Sequence, residues 1–129
     1  MKTPEVPVSW GELIDKITIL EIKAARLKNA AALANVNKEL KLLAAQADAA
    51  LKTSAELPAL KQRLTKVNEA LWEIEDKIRE KEAGQEFDAG FVALARSVYQ
   101  NNDERAAIKR QINTLLSSEL VEEKSYQPY

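Results

Sequence analysis

The chain has no cysteine and no histidine. Without cysteine there is no disulfide framework, no thiolate nucleophile and no Cys-based zinc site. Without histidine, the commonest general base and the imidazole metal ligand are missing as well. Glycine and proline are scarce, three and four among 129 residues, so points at which a chain can turn sharply are few. An excess of either charge is lacking too: 19 Lys and Arg stand against 20 Asp and Glu, a net charge of −1. The balance holds along the chain and lacks the electrostatic footprint of a nucleic-acid binder. No apolar run approaches the roughly 18 residues of a membrane span, and MKTPEVPVSWGEL holds no signal-peptide core. These absences predict a cytoplasmic protein with no nucleic-acid partner, no membrane span, no metal and no cofactor. Carboxylates, Lys, Arg, Tyr and hydroxyls remain for chemistry.

What is present is helical periodicity. The length suits one domain, 1–129, with an extended arm at 1–8 in which Pro4 and Pro7 favour β or polyproline geometry. Ser9 and Glu12 form a capping box, and Val8 with Leu13 a hydrophobic staple, so a helix starts at residue 10. Leu13, Ile17, Leu20, Ala24 and Leu27 give its apolar face, widened by Ile14, Ile19 and Ile22. A slip in phase at Asn29, a good N-cap residue, divides a first helix (10–28) from a second (30–51), with one continuous bent helix as the alternative. Pro58 suits the first position of a third helix (57–83), in which Leu57, Leu60, Leu64, Val67, Leu71, Ile74 and Ile78 make a coiled-coil heptad. Gly84 is its stop signal. Asp88 caps a fourth helix (88–117), with Phe87 and Val92 as a staple pair and Phe91, Leu94, Val98, Ile108, Ile112 and Leu115 on its buried face. A polar tail, 118–129, follows. About three-quarters of the chain is thus helix and nothing reads as sheet, which predicts an all-α antiparallel bundle or long helical hairpin. The wide face of the first helix and the long heptad of the third exceed what so narrow an element can bury alone, and they predict a homodimer.

One irregularity interrupts this pattern. The face set by Phe91, Leu94 and Val98 passes through Asn101 and Arg105 before it resumes at Ile108, with Asn102 and Asp103 alongside. A buried guanidinium must be paired and hydrogen-bonded. Asp15, Glu21, Glu73, Glu75 and Asp76 are its candidate partners on facing helices. Asn101, Arg105, Asn102, Asp15 and Glu21 are therefore the candidate ligand-binding residues, for a small anion inside the bundle. The commoner arrangement is an Arg–carboxylate link that fixes helix register. If the link is structural and poorly optimised, replacing Arg105 with Met is expected to keep stability or raise it, whereas a ligand site would lose binding.

Other features read as packing. Trp10 and Gly11 lie at a helix N-terminus, where an anion could bind, but the capping box claims those donors. Trp72 flanks the third helix's seam. Glu73, Glu75, Asp76 and Glu80 lack the Glu-x-x-His pattern of a di-iron bundle and are interleaved with Lys77, Arg79 and Lys81, as on a solvated helix face. No phosphate-binding glycine loop, nucleophile elbow or calcium loop occurs, and no catalytic residue can be named. Tyr126 and Tyr129, beside Pro128, are unusual in a polar tail and predict that it docks on the bundle or on a second subunit.

The segments SWGELIDKITILEIKAARL, NEALWEIEDKIREKE, FVALARSVYQNNDERAAIKRQIN and SELVEEKSY make the chain resemble a bacterial family of small helical proteins, a domain of unknown function. The resemblance runs over nearly the whole chain, GELIDK and ELVEEKSY being its most specific parts. It implies a bacterial, mostly helical protein, with a hint of a protein partner in surface-polysaccharide machinery, and it brings no activity to carry over. A fainter similarity is to the all-helical chorismate mutases, which implies Arg26, Lys38, Arg105 and Lys109 around a dicarboxylate. Two functions follow. The first is a non-catalytic interaction or scaffold protein acting through helical surfaces. The alternative is an anion-binding protein or enzyme with its pocket at Asn101 and Arg105.

Overall fold

The structure, a computed structural model, describes residues 1–129. Four helices follow in order: α1 (Trp10–Arg26), α2 (Ala30–Leu51), α3 (Glu56–Ala83) and α4 (Ala89–Leu115). They cover 73% of the chain with no strand, an all-α bundle. Ser9 Oγ accepts from Glu12 N at 3.1 Å to start α1, Asn29 Oδ1 from Ala32 N at 2.9 Å to start α2, and Asp88 Oδ1 from Phe91 N at 2.9 Å to start α4. Because Leu27 and Asn29 are extended, α1 and α2 are two separate helices rather than one bent rod.

Local chemistry departs from expectation at several ends. Glu12 completes only half of the capping box, since its carboxylate turns to Lys109 instead of back to Ser9. Val8 and Phe87, the outer residues of the expected staples, are exposed, and Phe87 meets Phe91 edge-on at 5.3 Å between centroids. Helix α3 begins one residue early, which places Pro58 third. That position is still within the first turn, where a missing N–H costs nothing. At its other end Gly84 is right-handed, and Gln85 carries the positive φ of 54°. Glu86 N then donates to Lys81 O at 2.9 Å, a Schellman closure around a glutamine. Gln85→Gly should therefore raise stability by about 1 kcal/mol in urea unfolding, since only Gly takes that backbone without a Cβ penalty.

Helix α1 is the central element. It packs against α2, α3 and α4, and α3 runs antiparallel to α4 along its length. The wide apolar face of α1 is thus covered within one chain, and it supplies no reason for a second subunit. Ile14, Ile17, Ala47, Leu57, Leu64, Val67, Ile108 and Ile112 form the core where all four helices meet. At 1.5 Å per residue α3 is about 42 Å long and α1 about 25 Å, so the α3–α4 hairpin outruns its cover. No residue between Asn68 and Ile108 is fully buried. From Ile74 to Val98 the hairpin is two helices thick and its seam is only half-covered.

Candidate functional site

Asp15 lies at the centre of the molecule, its side chain 1% exposed. A carboxylate at that depth is costly unless several donors answer it. From α4, Arg105 gives Nε to Oδ1 at 2.9 Å and Nη2 to Oδ2, a two-pronged pairing. From α3, Asn68 donates Nδ2 to Asp15 Oδ1 and to Thr18 Oγ1, both at 2.9 Å. Thr18 in turn donates to the Asp15 backbone carbonyl at 2.7 Å. One carboxylate thus ties α1 to α3 and to α4.

One turn further along α4, the Lys109 side chain is 10% exposed and surrounded by carboxylates. Its Nζ lies 2.7 Å from Glu12, 2.8 Å from Glu122 and 4.0 Å from Asp15. Burial pulls the ammonium down, but the hydrogen bonds to Glu12 and Glu122 outweigh it and hold the pKa above the ordinary lysine value. The hydrogen bond from Lys109 brings Glu122 down to about 2, against burial. The α1 N-terminus seats on the same helix. Gly11 N donates to Asn113 Oδ1 at 2.7 Å and Trp10 N to Ser118 Oγ at 3.2 Å, so these donors are satisfied by α4 and its exit, not by the capping box.

The tail runs back along α4 through Glu122 to Tyr129, which donates to Asp103 and stacks edge-on against Tyr99 at 4.9 Å between centroids. It therefore docks on its own chain. A depressed Glu122 stabilises docking above the ordinary glutamate value of 4.5, and that contribution is lost as pH falls towards about 2. The raised Lys109 contributes below the ordinary lysine value of 10.5 and is lost as pH rises beyond it. The tail should stay docked between those limits, and an NMR titration should put the Glu122 carboxyl midpoint near 2.

Of the five candidate residues, the structure brings Asp15 and Arg105 together. Asn101 donates to Ser97 O of its own helix at 2.8 Å, Asn102 is half-buried outside the network, and exposed Glu21 pairs with Lys61 at 3.2 Å. With Asp15 fully buried, Arg105→Met alone would strand a carboxylate, so the expectation of kept stability does not carry over to the single substitution. Periodicity did not single out Asn68, Lys109, Asn113 or Glu122. The available signals were slight: a polar residue beside each seam, and a glycine in the first turn of α1. The four cations of the mutase-like pattern do not converge. Arg26 pairs with Glu73 and lies over Trp72, Lys38 is exposed on α2, and Lys109 has its own carboxylates.

An open groove of about 350 Å³ adjoins the network, floored by Ile19, Ile22, Leu71 and Trp72 and bounded by Asn68, Arg105, Glu75, Asp76 and Arg79. No cluster of carboxylates is arranged to hold a metal ion. No helix is long and apolar enough to cross a membrane. No curated protein and no solved structure matches the chain. A family of unknown function, DUF6165, matches residues 4–129, and the chain, with its buried Asp15 link and docked tail, belongs to that family.

Proposed function

We propose that this chain is a non-catalytic interaction protein that works as a homodimer through the distal half of the α3–α4 hairpin. The observation that carries the reading is the uncovered end of the heptad: Ile74, Ile78, Phe91, Leu94 and Val98 continue the core seam, yet none is fully buried. Surface area points the same way. The chain exposes 9066 Å², where a compact monomer of 14.4 kDa would expose about 6,800 Å². The exposed arm and tail supply part of that excess. A standard interface takes roughly 800 Å² from each partner, which the hairpin can provide. Two hairpins side by side, related by a two-fold axis, give each seam the neighbours that α1 gives the core. The buried cations meanwhile hold their own carboxylates, which leaves little for catalysis.

The absence of native cysteine allows a direct test. Val92→Cys, on the hairpin, should crosslink with a bis-maleimide into a covalent dimer, while Asn37→Cys, exposed on α2, should not. Equal crosslinking of the two, or none, would overturn the reading. A bacterial, cytoplasmic setting and a partner in surface-polysaccharide machinery belong to the same proposal. The bacterial setting and that partner rest on the family likeness, the cytoplasmic setting on the lack of a signal-peptide core and of a membrane span.

The groove beside Arg105 favours the second reading, an anion-binding protein. It ranks behind because Nε and Nη2 of Arg105 are committed to Asp15 and because Glu75 and Asp76 line the same groove. Titration of a dicarboxylate followed by tryptophan fluorescence, with a Trp72→Phe variant to identify the groove's contribution, would support it by a saturable change that the variant loses. A flat response would exclude it.

A further inference from the structure

We propose that Lys109, Arg110, Asn113 and Lys124 form a binding site for a small oxyanion, phosphate or carboxylate, which the Glu122 carboxylate fills until a free oxyanion displaces it, the tail backbone and Lys124 staying in place. The site lies between α4 and the tail, away from the hairpin seam, and is independent of the dimer. Lys109, Arg110, Asn113, Glu122 and Lys124 line one small cavity of about 20 Å³, three cations around a single carboxylate. That volume is about one water molecule, so the cavity is closed by Glu122 rather than vacant.

The walls are built rather than incidental. Asn113 is 5% exposed, and its Oδ1 is taken by Gly11 N, which leaves the amide NH₂ as a donor for the cavity. The Lys109 side chain is 10% exposed and held in place from the far side by Glu12. Arg110 lines the cavity from the exposed side of α4. Lys124 reaches Glu122 at 3.3 Å from the tail itself. With the Glu122 carboxylate displaced, three cations remain against Glu12 and an Asp15 that is 4.0 Å from Lys109 but already paired with Arg105, an excess of positive charge around fixed donors, which is what an oxyanion requires.

The occupant is held lightly. Beyond Ser118 no backbone N–H is hydrogen-bonded, and the one backbone acceptor engaged is Leu120 O, from Ser118 Oγ at 2.6 Å. Glu122 on Lys109 and Tyr129 on Asp103 anchor the rest through side chains. A carboxylate on a tail anchored in this way is an exchangeable ligand, and a free oxyanion of the same chemistry competes with it.

Inorganic phosphate and acetate, titrated separately by calorimetry at fixed ionic strength, test this on the full chain. Glu122→Gln removes the resident charge at a half-exposed position and leaves the bundle intact. It should bind one of the two probes at least about tenfold tighter than the unaltered chain, the worth of one charge-assisted hydrogen bond. The probe with the larger gain names the chemistry. Adding Lys124→Gln, on the exposed tail, should abolish the gain. No gain with either probe, or a gain that survives Lys124→Gln, would overturn the proposal.

Discussion

Asp15→Ala should lower the unfolding free energy by about 3–5 kcal/mol, the cost of breaking a buried ion pair from one side. The substitution leaves Arg105, whose side chain is 28% exposed, without its paired carboxylate, and it leaves Asn68 Nδ2 with only Thr18 to receive it. It also opens a polar void at the one point where α1, α3 and α4 are tied together. Against a typical total stability of roughly 5–15 kcal/mol the loss is large, and it should show as a shift in urea midpoint. Replacing both partners by apolar residues, Asp15→Leu with Arg105→Met, should recover most of it, because no charge is then stranded. A single-substitution cost under about 1 kcal/mol would mean that the pair contributes little to register.

Gly11→Ala should destabilise by about 2 kcal/mol, although helix propensity alone favours Ala by about 1 kcal/mol. A Cβ at residue 11 would stand 2.5 Å from Lys109 O and 3.0 Å from Asn113 Oδ1. The first of these atoms is backbone, so relief requires α4 to move away from α1. That movement would stretch the Gly11 N to Asn113 Oδ1 bond and unseat Lys109. Overpacking therefore outweighs propensity. Gly84→Ala is the control: its nearest atom is 3.6 Å away, and its stability should hold or rise. Thermal unfolding of the two variants side by side checks the sign of each.

Helix positions were legible because capping is local chemistry. Ser9, Asn29 and Asp88 are each the residue that accepts the first free N–H, and the heptads mark which face turns inward. The misjudged details were those where two local rules competed. Gly84 does stop α3, but the left-handed residue that closes the turn is Gln85. Glu12 fitted a capping box, yet a buried ammonium on α4 is the stronger partner for its carboxylate. The central link was half legible. A break in an apolar seam at Arg105 demands a carboxylate, but which of five answers depends on how the helices cross, and spacing along one helix does not encode that. Asn68 and Asn113 sit beside their seams, where a buried amide and a solvated one leave the same pattern. Glu122 lies in a polar tail and gains its role only because the tail folds back on α4.

The dimer is the central claim, since the hairpin seam and the excess surface both depend on it. Sedimentation equilibrium of the unaltered chain at neutral pH and moderate salt tests it most directly. The account predicts a species of twice the 14.4 kDa chain mass that dissociates only on dilution. A single 14.4 kDa species at every concentration would contradict it.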